Sequence, residues 1–300
     1  MDREGGKKMI DMLVSALFGL VEGITEWLPI SSTGHMILLE EFVKFNNVSE
    51  GFFDMFNVVI QLGAIMAVVV LFWSAIFPFG IESSKKIIRQ VNENNKDKKQ
   101  KNKIVIKKDI FRLWFKILVA CIPAAVIGLA LDEFLEKYLY NGVVVSISLI
   151  VFGILFIIIE NRNKNKNANV NSLAEMSYKY ALIIGIFQLI AAIFPGTSRS
   201  GATILGALLI GVSRTVAAEF TFFLAIPVMF GASLLKVIKF GLAFTGVELA
   251  ILAIGMLTAF LVSMFVIKFL MTYIKKHDFK VFGWYRIVLG LIVLAYFIFK

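Results

Sequence analysis

Two carboxylates, Glu22 and Glu26, stand four residues apart inside an apolar stretch near the start of the chain. On a helix that spacing presents both on one face. Pro29 follows and ends the helix, because the residue before a proline is pushed out of the right-handed helical region. Ser31, Ser32 and Thr33 then offer hydroxyl caps for a second helix, whose first free N–H groups form a natural anion site. His35 lies within a turn of those serines and points back toward them, so Ser32 and His35 are able to meet. A second cluster reads Pro195-Gly-Thr-Ser198-Arg199-Ser200-Gly-Ala-Thr203. It is another break followed by hydroxyl caps, with an arginine whose forked donors suit two phosphate oxygens at once. An acidic pair, an arginine, a histidine, hydroxyls and two helix starts together describe a site for a phosphate group and a divalent cation. Hard oxygen ligands suit either Mg²⁺ or Ca²⁺.

The elements that must position these groups are membrane elements. Hydrophobic residues make up 59% of the 300 positions, and the mean hydropathy is +0.83. The apolar residues come in runs without polar faces at helical spacing, which excludes a large soluble bundle. Six runs are long enough to cross a hydrocarbon core of about 30 Å, at roughly 54–78, 112–131, 143–160, 216–239, 247–271 and 282–299. A carboxylate at membrane depth costs roughly 2.5–3.5 kcal/mol on insertion scales, so Glu22 and Glu26 must face a wet cavity or a partner. Arg199 and Arg214 stand out as the internal partners. Asp54 and Glu219, at span starts, are expected to pair with neighbours such as Arg214. The many phenylalanines read as lipid-facing bulk, and the lone Cys121 offers neither a disulfide nor a metal cluster.

Two further apolar regions, about 9–43 and 178–211, are each broken by Pro and hydroxyl residues. Set against each other, Gly19 falls on Gly185, Glu22 on Gln188, Pro29 on Pro195 and Ser32-Thr33-Gly34 on Arg199-Ser200-Gly201. The spans that follow correspond loosely, with Gly63-Ala64 matching Gly231-Ala232. That pattern predicts an all-α, polytopic membrane protein of six transmembrane helices plus two re-entrant helical hairpins in an inverted-topology repeat. The chain is one membrane domain, 1–300, with a first-repeat hairpin and span at 9–79 and a second at 178–240. If neither hairpin crosses, both termini lie outside, and the Lys-rich loops 80–111, 161–177 and 272–281 fall together on the cytoplasmic side. The net charge of +10 therefore faces anionic lipid, and no nucleic-acid partner is expected.

These segments resemble the bacitracin-resistance family of undecaprenyl-diphosphate phosphatases. Its signatures are an acidic (E/Q)xxxE motif and a PGxSRSxxT motif. Glu22-Gly-Ile-Thr-Glu26 and Pro195-Gly-Thr-Ser198-Arg199-Ser200-Gly-Ala-Thr203 match both without departure. The stretches Pro29-Ile-Ser-Ser-Thr-Gly-His35 and Glu219-Phe-Thr-Phe-Phe-Leu-Ala-Ile-Pro227 are also similar to the family's. The resemblance implies hydrolysis of undecaprenyl diphosphate to the monophosphate and inorganic phosphate in the bacterial plasma membrane, recycling the lipid carrier of wall synthesis. It implies Glu22, Glu26, Ser32, His35 and Arg199 as catalytic residues, Glu22 and Glu26 holding Mg²⁺ or Ca²⁺. Ser31, Thr33, Ser198, Ser200 and Thr203 become substrate-binding groups, or caps that satisfy backbone. Ser32 as nucleophile with His35 as proton acceptor, or water attack with His35 as base, both remain open. The partners are the polyprenyl diphosphate and membrane lipids, and the residues leave homo-oligomerisation undecided. The rival reading is an inverted-repeat transporter or flippase for an anionic or polyprenyl-phosphate substrate.

Overall fold

The computed structural model describes residues 3–82 and 103–299. The chain runs through α1 (Arg3–Thr25), α2 (Ser32–Phe42), α3 (Phe52–Leu71), α4 (Trp73–Ile76), α5 (Lys108–Leu139) and α6 (Gly142–Asn163). It continues through α7 (Tyr178–Ile193), α8 (Arg199–Leu209), α9 (Arg214–Phe240), α10 (Gly246–Tyr273) and α11 (Lys280–Phe299). Six helices are long and apolar enough to span a bilayer: α3, α5, α6, α9, α10 and α11. They coincide with the six expected runs to within a few residues at most ends. One small sheet adds to the all-α expectation: β1 (Phe79–Glu82) pairs antiparallel with β2 (Lys103–Ile106). The Lys-rich loop between these strands, residues 83–102, lies outside the described residues.

The two broken regions each fold as a long helix, a short break and an 11-residue helix, α1–α2 and α7–α8. Each first helix packs against a span from the other half of the chain, α1 on α10 and α7 on α5. The next spans follow the same rule, α3 touching α10 and α9 touching α5, while α3 meets α9 and α6 meets α11. Small residues make the close approaches possible, as membrane helices require in place of a hydrophobic driving force. Gly23 faces the Ala259 carbonyl, Gly19 faces that of Gly255, and Gly185 faces that of Ala120. The loose match of Gly63 with Gly231 carries no shared contact: Gly63 lies on the Met256 backbone, whereas nothing approaches Gly231.

Phenylalanine follows the expectation in part: Phe115, Phe230 and Phe265 are exposed on spanning helices, while others are buried. Phe18, Phe52, Phe56, Phe156, Phe220, Phe222, Phe223 and Phe279 are fully buried. Phe18 packs edge-on against Phe53 and Phe56, and Phe72 against Phe223. Interior and lipid are equally apolar, so hydropathy does not separate the two destinations; packing among helices does.

The α6–α11 contact is also close. A Cβ on Gly153 would stand 2.7 Å from the Gly283 carbonyl, and one on Gly283 would stand 2.8 Å from the Gly153 carbonyl. Gly153→Leu should therefore prise these helices apart and cost about 1–3 kcal/mol of overpacking, read as a melting temperature several degrees lower in detergent. Gly231→Leu, at an open position, is the control, and equal melting of the two variants would refute the claim.

Candidate active site

The breaks themselves carry the geometry. Ser31 caps α2 with φ 75° and accepts a hydrogen bond from the Gly34 N–H at 3.3 Å. Ser198 caps α8 with φ 70° and accepts from the Gly201 N–H at 3.2 Å. These are the non-glycine residues of positive φ among the described residues, and they occupy equivalent places in the two aligned segments. A side-chain-bearing residue in the left-handed region is strained, and such strain collects at functional sites. Both serines are N-caps, as the sequence pattern implied for the hydroxyl clusters.

The acid of one hairpin meets the guanidinium of the other. Arg199 Nη2 donates to Glu26 Oε1 at 2.7 Å, with the side chains 13% and 6% exposed. Arg199 Nη1 donates to the Thr221 carbonyl at 3.0 Å. Ser32 Oγ donates to the other carboxylate oxygen, Glu26 Oε2, at 2.8 Å, and Ser200 Oγ donates to the Glu26 carbonyl at 3.0 Å. Glu22 is buried beside Glu26, and its Oε1 has no hydrogen-bond partner. The Nε of Arg199 and the hydroxyl of Thr197 are likewise buried without partners. Ser198 and Ser200 hydroxyls lie 3.1 Å apart. Thr203 donates to the Arg199 or Ser200 carbonyl, at 2.9 or 3.2 Å, and accepts from the Thr221 hydroxyl at 2.9 Å. Thr203 thus ties the first turn of α8 to α9, while Thr33 is half-buried at the second residue of α2.

His35 takes a different partner from the one its spacing offers. Its Nδ1 bonds the Ser31 carbonyl at 2.7 Å, and its Nε2 bonds the Tyr285 hydroxyl at 2.7 Å. The imidazole stacks on the Tyr285 ring with an interplanar angle of 5°. A carbonyl only accepts, so Nδ1 carries a proton, and in the neutral ring Nε2 accepts from the tyrosine. Ser32 is instead hydrogen-bonded to Glu26. The side chain at position 35 leans back one turn onto the carbonyl four residues before it, as helical side chains do.

The profile of a family described as bacitracin resistance protein BacA matches residues 15–292, which takes in both hairpins. The chain belongs to this family. An undecaprenyl-diphosphatase of Enterococcus faecalis is 59% identical over 285 residues, covering 95% of this chain and 96% of that protein. One from Desulfitobacterium hafniense is 59% identical over 289 residues, with 96% and 97% covered. The undecaprenyl-diphosphatase 1 of Clostridium acetobutylicum is 58% identical over 289 residues, with 96% and 98% covered.

In this BacA-family chain several internal partners differ from those the sequence offered. Arg214 forms a two-pronged ion pair with buried Glu160, with Nε donating at 2.9 and 3.2 Å, and not with Asp54 or Glu219. Glu160 also accepts the Phe279 N–H at 3.0 Å. Lys275 is the basic group near Glu219. Arg286, overlooked beside Arg199 and Arg214, is fully buried. Its signal was an arginine seven residues into an apolar span, where a charge is functional by default.

Proposed function

We propose that the protein hydrolyses undecaprenyl diphosphate to undecaprenyl phosphate and inorganic phosphate, the activity named for its relatives. Recycling the lipid carrier of wall synthesis in the bacterial plasma membrane is the role that follows. One observation carries the reading: Glu26 joins the guanidinium of the opposite hairpin to the hydroxyl of Ser32. Moving an anion across a membrane does not require a hydroxyl hydrogen-bonded to a carboxylate, whereas a serine nucleophile is activated by such an adjacent base.

In the proposed reaction the terminal phosphate lies against Arg199 and the N–H groups that begin α8, where charge develops. The Ser32 hydroxyl attacks the terminal phosphorus while Glu26 accepts its proton. The bond from that phosphorus to the bridging oxygen breaks, and undecaprenyl phosphate departs with the electron pair. Water then cleaves the phosphoserine, releasing inorganic phosphate and restoring the serine. His35 serves this second step as the base for water, its Nδ1–H held by the Ser31 carbonyl, once its Nε2 exchanges the Tyr285 hydroxyl for that water. Ser31, Ser198 and Ser200 hold the two breaks in shape around the phosphate.

A divalent cation, Mg²⁺ or Ca²⁺, fits the same donors. Glu22, Glu26 and Ser32 present hard oxygens, and the partnerless Glu22 Oε1 is a buried acceptor that a cation would satisfy. Among the described residues no group of three or more His, Cys, Asp or Glu side chains is placed to hold a metal, so Glu22 and Glu26 would be the carboxylates that hold such an ion. When bound, the ion neutralises charge on the transferring phosphate.

Re-entrance and an inverted repeat are part of the same proposal. An 11-residue helix is about 16 Å long, about half a hydrocarbon core, which supports α2 and α8 as non-crossing limbs. The matching left-handed serines and the exchanged partners of α1 and α7 support duplication. Residues from the second and third basic clusters, among them Arg162, Lys166 and Lys275, line a single cavity of about 510 Å³. That shared face supports both loops being cytoplasmic and both termini outside.

Purified protein given a polyprenyl diphosphate should release phosphate with Mg²⁺ or Ca²⁺ and lose most activity in chelator, with a ³²P-labelled phosphoserine trapped by acid quench. Undiminished release in chelator would remove the cation. Turnover without any labelled serine would replace Ser32 with direct attack by water.

A further inference from the structure

Of the spanning helices, α11 holds two adjacent side chains, Tyr285 and Arg286, that reach the breaks without belonging to either hairpin. Arg286 is 0% exposed. Its Nη1 donates to the Pro29 carbonyl at 3.2 Å, and its Nη2 to the Gly196 and Thr197 carbonyls at 3.0 and 2.8 Å. Its Nε lies 3.5 Å from the Leu149 carbonyl of α6, and the guanidinium sits over the Phe152 ring at 5.8 Å. These are main-chain acceptors from three separate segments. Pro29 stands two residues before Ser31, and Thr197 immediately precedes Ser198, so one cation grips the chain just ahead of each left-handed serine.

Two further observations point the same way. A Cβ on Gly201 would stand 2.9 Å from Arg286 Nη1, so the glycine of the second motif keeps the space the guanidinium uses. Gly283, Arg286 and Gly290 share one face of α11, and the flanking glycines press that face onto α6, setting the arginine at the level of the breaks. Tyr285, the residue before Arg286, holds His35 through its hydroxyl.

We infer that Arg286 is a positioning residue for the reaction: it locks the two hairpin breaks in register, so that Glu26 of one and Arg199 of the other face a single phosphate. A forked, rigid cation suits this task because its donors point to carbonyls on several sides at once, which an ammonium on a flexible stem does not reproduce. The inference rests on the breaks being the phosphate site.

The test compares wild type, Arg286→Met, Arg286→Lys and Glu26→Gln as purified proteins in one detergent, measuring kcat and KM for a polyprenyl diphosphate and the melting temperature. Arg286→Met should lower kcat by about 100-fold, the scale of a misplacement of about 1 Å, with KM within about 3-fold. Arg286→Lys should recover melting temperature yet keep kcat at least ~10-fold below wild type, because the charge returns without the fork. A purely structural role predicts instead that kcat recovers in step with melting temperature. That result, or an Arg286→Met kcat close to wild type beside an inactive Glu26→Gln, overturns the inference and leaves the site standing. A fully active Glu26→Gln would remove the site beneath it.

Discussion

Glu26→Gln should reduce phosphate release by about 10³-fold while the protein still binds its lipid, a loss within the range for removing a positioned general base. The carboxylate accepts on both sides, from Arg199 at 2.7 Å and from Ser32 at 2.8 Å. An amide accepts on one side only. If its oxygen faces Arg199, its NH₂ points at the serine oxygen, and the nucleophile's proton has no acceptor. If it is turned around, two donors face each other across the hairpin interface. Part of the effect will fall on stability, because removing one member of a largely buried pair leaves the other charge uncompensated, at a cost of about 3–5 kcal/mol. The Thr221 carbonyl keeps one contact to Arg199, which places the expected cost near the lower end of that range. Single-turnover rates on the folded fraction separate the two effects. A rate within tenfold of wild type would mean that Glu26 does not take the serine's proton.

Much of this site was legible before any coordinates, because it is written in residue types that lipid does not tolerate. Glu22, Glu26 and Arg199 announce themselves by sitting in apolar runs, and proline next to serines announces a helix break. The six spans are legible for the same reason, length and hydropathy being set by the bilayer. Partner choice is another matter. Spacing let Ser32 meet His35, but the histidine leans onto the Ser31 carbonyl and the tyrosine of a helix about 250 positions away. Arg214 chose Glu160 over Glu219 for a like reason, since only the placing of the end of α6 beside the start of α9 decides which acid lies near. Arg286 carried a readable signal, yet nothing local says that its donors would end on the carbonyls of two distant loops. Nor does composition distinguish a phenylalanine facing Phe18 from one facing lipid. The chemistry of each group is a local property, while its partner is set largely by contacts between segments distant in the chain.

Arg199→Lys should lower kcat/KM by about 10²–10³-fold, the usual scale for losing a charge-stabilising donor at a reacting centre. The guanidinium does two things at once. Nη2 and Nη1 tie Glu26 to the Thr221 carbonyl, and Nε remains buried without a partner, a donor that a phosphate oxygen would satisfy. Lysine keeps the charge and reaches Glu26, but one ammonium does not also span the Thr221 carbonyl and a phosphate. The two roles separate in a double-mutant cycle with Glu26→Gln. If Arg199 acts only by holding the Glu26 carboxylate, the double variant is no slower than Glu26→Gln alone, since the carboxylate and its ion pair have already gone. If it also holds the phosphate, the double variant should lose about another tenfold or more, because interactions with different partners add more nearly than shared ones do. The second outcome is the expected one. A double variant as fast as the single would demote Arg199 from phosphate ligand to support for the acid, and the N–H groups at the start of α8 would be left as the main donors to the transferring group.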